Sequence, residues 1–208
     1  IELYDNSNIQ GAYAVAGMVV YKDGVPSKKD YRKYKIKTVE GPDDYASMKE
    51  VIYRRYYRLL MEQKEMADLI IVDGGLGQIK VAKEVIDGLN LPVHICGLSK
   101  DDKHSTAMLL DENGNLVPID TKSPLFFLLT RMQDEVHRYA ISFHRQVRSK
   151  SLFSSILDEV DGIGEARKKK LLNHFKSVKK MKEASLEELE AVIPKNTALK
   201  LYEVLHKE

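Results

Sequence analysis

Leu69-Ile70-Ile71-Val72-Asp73-Gly74-Gly75-Leu76-Gly77-Gln78 decides the fold class. Four apolar residues in a row leave no polar face, the pattern of a parallel strand covered on both sides. The run stops at an acid and two glycines, and a helical pattern follows from Gly77 to Leu89. Residues 93–98 repeat the buried-strand pattern. Upstream, Gly41-Pro42-Asp43-Asp44 opens a helix, with Pro and acids in its first turn. Tyr45, Met48, Ile52, Tyr56 and Leu59 mark its apolar face. Before it, residues 1–5, 12–22 and 30–38 read as strands, joined by an Asn6-Ser7-Asn8 loop and an Asp23-Gly24 hairpin. After residue 98, two short strands flank Asn113-Gly114, and a long helix covers 123–146. Three antiparallel strands, then helix and strand in alternation, predict an α/β mixed sheet with helices on both faces.

The pattern changes after Gln146. Arg148-Ser149-Lys150-Ser151 and Ser154-Ser155 suggest a polar linker, and residues 156–208 read as four short helices without a strand. Two domains are therefore expected, 1–150 and 151–208. With 33 Lys and Arg against 31 Asp and Glu, the net charge of +2 excludes a polycationic tail protein. The basic residues are nonetheless clustered, at 22–37, 131–150 and 151–182. Such stripes suit a surface that faces an anion, and each by itself also reads as solvated surface. The single Cys96 excludes a disulfide framework and a multi-cysteine zinc site. No apolar run approaches the ~18 residues of a membrane span, and no signal peptide is present. The chain opens inside a strand without an initiator Met, so a fragment of a larger intracellular protein is expected.

Asp5 follows the apolar residues of the first strand, and Asp73 those of the strand after the first helix. This topology makes those strands neighbours, so the two carboxylates are expected side by side. Paired carboxylates repel unless a cation is shared, and oxygen donors suit Mg²⁺ or Mn²⁺ rather than Zn²⁺. Either acid alone also reads as a turn or cap residue. Gly74 and Gly75, with Gln78 one turn on, sit where a strand gives way to a helix N-terminus, a place where backbone can approach a phosphate. The lysine and hydroxyl of a P-loop and the spacing of a dinucleotide fingerprint are both missing. Asp101 and Asp102 follow the next strand and read equally as a third acid or as surface loop.

On the long helix, Asp134, His137, Arg138, Ile141 and Arg145 share one stripe. Leu128, Met132, Val136, Tyr139 and Phe143 supply the apolar face, so the stripe is available for function. His137 can work near a metal, and Arg138 and Arg145 can hold phosphates. In the tail, Gly162-Ile163-Gly164 followed by Arg167, Lys168, Lys169 and Lys170 reads as a tight hairpin between helices. Its glycines expose backbone N–H groups to a phosphate, Ile163 tucks between the helices, and the basic run supplies charge without reading bases. A second hairpin is expected around residues 192–197, without glycines and in acidic surroundings.

Residues 4–11, 71–78 and 134–145 together resemble the C-terminal half of the UvrC family, the nuclease subunits of bacterial nucleotide excision repair. The resemblance implies an RNase H-like endonuclease domain that cuts 5′ of a lesion, followed by a tandem helix-hairpin-helix domain that binds the DNA backbone. It implies Mg²⁺ or Mn²⁺ held by Asp5, Asp73 and His137, with Asp102 as a further catalytic acid. Damaged double-stranded DNA is the implied substrate and the cytoplasm the implied location. UvrB is the implied partner through a segment absent from this chain, and UvrA an indirect one. A non-catalytic DNA-binding adaptor that keeps an RNase H-like shell is the rival reading. The intact Asp5, Asp73 and His137 weigh against it.

Overall fold

A computed structural model describes residues 1–9, 12–100 and 107–206. Among them, eight strands form one sheet of order β3-β2-β1-β5-β6-β7-β8, with β4 also paired to β2. The strands are β1 (Glu2–Ile9), β2 (Ala12–Lys22), β3 (Val25–Pro26), β4 (Arg32–Lys35), β5 (Leu69–Asp73), β6 (His94–Lys100), β7 (Ala107–Leu110) and β8 (Leu116–Val117). Two junctions at the centre are parallel, β1 with β5 and β5 with β6. The other pairings are antiparallel. Helix α1 (Asp44–Met61) joins β4 to β5, and α2 (Leu76–Gly88) joins β5 to β6. Asp43 caps α1 by accepting from the Ala46 N–H at 2.9 Å. Ile70, Ile71 and Val72 are fully buried, as a central strand with no polar face requires.

The long helix α3 (Pro124–Asp158) extends well past the expected end. The stretch that reads as a polar linker is helical, because its serines, Arg148 and Lys150 leave an apolar face intact. Val147, Phe153 and Leu157 are buried along that face. The apolar face nearer the start of the helix is also displaced. Leu129, Met132, Val136 and Ala140 are the buried apolar residues, together with the polar Gln133 and His144, whereas Tyr139 and Phe143 are only partly buried.

Strand β1 departs from expectation as well. It continues through Asn6-Ser7-Asn8 to Ile9 instead of turning at Asn6. The long β2 supplies the pairings Asn6↔Ala16 and Ser7↔Val15, and a ladder that satisfies backbone groups outweighs the turn preference of Asn and Ser. The returning strand is shorter than expected, and Glu50 of α1 holds the chain after it. Its carboxylate accepts from the N–H groups of Lys37 and Thr38 and from the Thr38 hydroxyl, bonds that hold its pKa below the usual glutamate value against the opposing effect of burial.

The chain divides into two compact units, Ile1–His144 and Arg145–Glu208, the division falling within α3. The second unit contains the end of α3, then α4 (Glu165–Phe175), α5 (Val178–Glu183), α6 (Leu186–Glu190) and α7 (Lys195–His206). Its own core is built on Phe153, Leu157, Leu171, Met181, Leu189 and Leu201. Ser177 caps α5, and Ser185 with Glu188 forms a reciprocal capping box on α6.

Candidate active site

The parallel ladder between β1 and β5 ends at Tyr4↔Val72. Asp5 and Asp73 each follow that last pair by one residue, which sets them side by side. Asp5 is 6% exposed and Asp73 partly buried. Above them lies α3. His137 Nδ1 is 2.9 Å from Asp5 Oδ2. A carboxylate only accepts, so Nδ1 carries the proton and Nε2 is the basic nitrogen. One turn earlier, Gln133 Nε2 donates to Asp73 Oδ1 at 2.7 Å. Asp5, Asp73 and His137 each offer a ligand atom, and these atoms lie within 4.8 Å of one another. Two hard carboxylates and one imidazole fit Mg²⁺ or Mn²⁺ and lack the thiolates of a structural zinc site.

A glycine sets the closeness of α3 to the sheet. Gly17 lies opposite Asp5 in the β1–β2 ladder. A Cβ at Gly17 would stand 3.0 Å from the backbone nitrogen of Ala140 and 3.1 Å from its Cβ. Small residues on both sides of this contact let the helix settle with His137 over Asp5. Gly17→Ala is expected to cost about 1–3 kcal/mol by overpacking. It should also weaken Mn²⁺ binding, because the helix must lift. Urea unfolding and a metal titration read the two effects. Lys33, opposite Gly17 on β4, has its ammonium 4.9 Å from the centre of the Tyr139 ring and 5.4 Å from that of Phe143.

The remaining candidates divide. Asp101 and Asp102 lie outside the described residues. At the β5–α2 turn, Gln78 folds back over Gly74, where a Cβ would stand 2.7 Å from Gln78 Cδ, so a side chain at this position would displace Gln78. The Gly74 N–H donates to the Leu98 carbonyl at 2.8 Å. Gly75 caps α2 with open space around its Cα. Arg138 is exposed and paired with Glu135, and Asp134 is exposed. Arg145, also exposed, is the first residue of the second unit. His144 points into the protein: it is 2% exposed, and its Nε2 finds no hydrogen-bond partner among the described residues.

In the second unit, the hairpin before α4 has the expected form. Gly162 adopts φ 92°, a left-handed conformation that glycine permits, Ile163 is buried, and Gly164 caps α4. Arg167 donates to the Gly162 carbonyl and closes the hairpin. Lys168 is tied between Asp158 and Glu165 and its side chain is only 16% exposed, whereas Lys169 is exposed. The basic run therefore presents Lys169 and Lys170 outward.

Gln133 is the site residue that the sequence reading passes over. Its signal was a lone amide within a helical stripe of Leu129, Met132, Val136 and Ala140, where only an apolar residue or a bonded polar one belongs.

A mixed sheet with two carboxylates at the ends of neighbouring central strands, covered by a helix that adds a histidine, defines an RNase H-like nuclease fold. A helical hairpin unit follows it. Residues 1–141 match the family model of the UvrC RNase H endonuclease domain, and residues 154–207 that of the SAM-like helix-hairpin-helix tandem. The chain belongs to the UvrC family, and the two matches in this order correspond to a C-terminal UvrC half. These domains support the role of a nuclease of nucleotide excision repair that binds DNA. Among the described residues, no helix is long and apolar enough to cross a membrane.

Proposed function

We propose that this chain makes the 5′ incision of nucleotide excision repair by metal-dependent hydrolysis of a phosphodiester. The observation that carries the reading is the convergence of Asp5, Asp73 and His137 within 4.8 Å. Bound there, Mg²⁺ or Mn²⁺ would polarise the phosphodiester and lower the pKa of water for in-line attack. Asp5 would hold the ion directly, and Asp73 and His137 would complete the site directly or through water. His137, tethered to Asp5 through Nδ1, presents Nε2 to orient the attacking water or take its proton. Arg138 and Arg145, with the turn at Gly74, Gly75 and Gln78, engage phosphates, and Asp102 is the candidate further acid. The hairpin at Gly162, Ile163 and Gly164, with Lys169 beside it, grips the DNA backbone, and Lys168 braces that hairpin from within. The nuclease domain would comprise residues 1–150 and the DNA-binding domain 151–208, with the division between the two compact units falling six residues earlier, within α3. The substrate would be damaged double-stranded DNA, with UvrB as partner through a segment absent from this chain and UvrA an indirect one, in the cytoplasm.

The test is nicking of a lesion-bearing duplex, with Mg²⁺ or Mn²⁺ and the partner proteins supplied. Cutting 5′ of the lesion, lost in EDTA, is the expected result. Binding without cutting would favour the adaptor reading. His137→Ala should lose roughly 10²-fold in single-turnover rate, the range for a positioned acid–base group, with DNA affinity little changed. Arg138→Ala should weaken binding instead, and His144→Ala should be milder in rate than His137→Ala. Loss of affinity in step with rate in His137→Ala would overturn the assignment.

A further inference from the structure

We infer that Gln133 is a positioning residue for the metal site and acts through Asp73. The inference rests on the metal-dependent reading above. Gln133 is 4% exposed on α3, among the apolar Leu129, Met132, Val136 and Ala140. Burying an amide there is costly unless it is hydrogen-bonded. Its Nε2 meets Asp73 Oδ1 at 2.7 Å. The acceptor is a carboxylate, so the amide must turn its NH₂ to it, and this sets the orientation of Gln133.

The same helix thus grips both carboxylates from consecutive turns. Gln133 takes Asp73 at 2.7 Å, and His137, four residues on, takes Asp5 at 2.9 Å. Each contact holds a carboxylate against rotation away from the other. The amide does this without charge: it adds no anion to a site with two already, and no cation to compete with an incoming metal. A donor behind a ligating carboxylate orients it, and removal of such a partner typically costs 10–100-fold in metal affinity. The requirement that α3 lie close to the sheet, met at Gly17 and Ala140, is then common to both contacts.

The test is Mn²⁺ affinity of the full chain without DNA, by isothermal titration calorimetry and by the electron paramagnetic resonance signal of free Mn²⁺. Gln133→Met and Gln133→Leu remove the donor and keep a helix-forming, core-compatible side chain. Both should fold, judged by circular dichroism and melting, and bind Mn²⁺ about 10-fold or more weakly. In an Asp73→Asn background, Gln133→Met should bring no further loss, because the amide acts through that carboxylate. Wild-type affinity in the Gln133 variants, with affinity lost in Asp73→Asn alone, would overturn this inference and leave the metal reading standing. A full additional loss in the double variant would also overturn it, as would unfolding of both single variants, which would make Gln133 structural. No Mn²⁺ binding by the wild-type chain would overturn both.

Discussion

Asp5→Asn should lower single-turnover cleavage by about 10³-fold or more while leaving the fold intact. On the proposed mechanism, loss of an ion held by Asp5 would remove several kcal/mol of transition-state stabilisation, and each ~1.4 kcal/mol is a factor of ten in rate. Asn is isosteric, and its carbonyl oxygen still accepts from His137 Nδ1, so the packing of a side chain 9% exposed has no reason to change. The stability effect has the opposite sign. Without metal, Asp5 and Asp73 repel, and removing one charge relieves that repulsion. In EDTA, Asp5→Asn should therefore melt at or above the wild-type temperature. Added Mn²⁺ should raise the wild-type melting temperature, since a ligand of the folded state stabilises it, and should leave that of Asp5→Asn nearly unmoved. Near-normal cutting by Asp5→Asn, with the same Mn²⁺-induced shift as wild type, would remove the metal-site reading.

Glu2→Ala should destabilise the first unit by about 3–5 kcal/mol, the cost of breaking a buried ion pair from one side. Glu2 is 3% exposed. Its Oε1 accepts from Arg55 Nη2 at 2.6 Å and Nε at 3.1 Å, and its Oε2 from the hydroxyls of Tyr4 at 2.6 Å and Tyr56 at 3.1 Å. Burial disfavours the Arg55 charge, yet Glu2 carries its pKa above the ordinary arginine value. Burial first, and then the carboxylate, push both phenols up, so they remain donors. Truncation leaves a guanidinium and two buried hydroxyls unmatched, together with a cavity. The melting temperature should fall by roughly 6–20 °C, converting at the 2–4 °C per kcal/mol expected for a chain of this size. Near-ultraviolet circular dichroism, which reports Tyr4 and Tyr56, measures it. Glu2→Gln, which keeps an acceptor, should fall in between. Because Tyr4 follows Glu2 by two residues and precedes Asp5, the network anchors the strand that presents the Asp5 carboxylate.

Much of this molecule was legible from local pattern. The apolar run Ile70-Ile71-Val72, the Pro-Asp opening of α1 and the Gly162-Ile163-Gly164 hairpin are decided by residues within a few positions of each other, where period and turn chemistry act. The adjacency of Asp5 and Asp73 was also legible, since the order of elements allows few sheets and most of them pair those strands. Local preference failed where a partner distant in the chain outweighed it. Asn6-Ser7-Asn8 reads as a loop until β2 is paired beside it, and Arg148–Ser155 reads as a linker until Phe153 and Leu157 find a core.

What only the tertiary structure decided is which polar groups meet. Gln133 and Asp73 are 60 residues apart, Glu2 and Arg55 53, Asp5 and His137 132. The binary pattern of a helix or strand says which side is buried, but not which amide or guanidinium on that side faces which carboxylate. Lys168 shows the converse: its sequence neighbours suggest a phosphate contact, and its spatial neighbours Asp158 and Glu165 claim its charge. Elements follow from short-range sterics and periodicity that the chain carries everywhere along its length. The site follows from distances of 2.7 and 2.9 Å between groups that only the packed sheet and α3 bring into range.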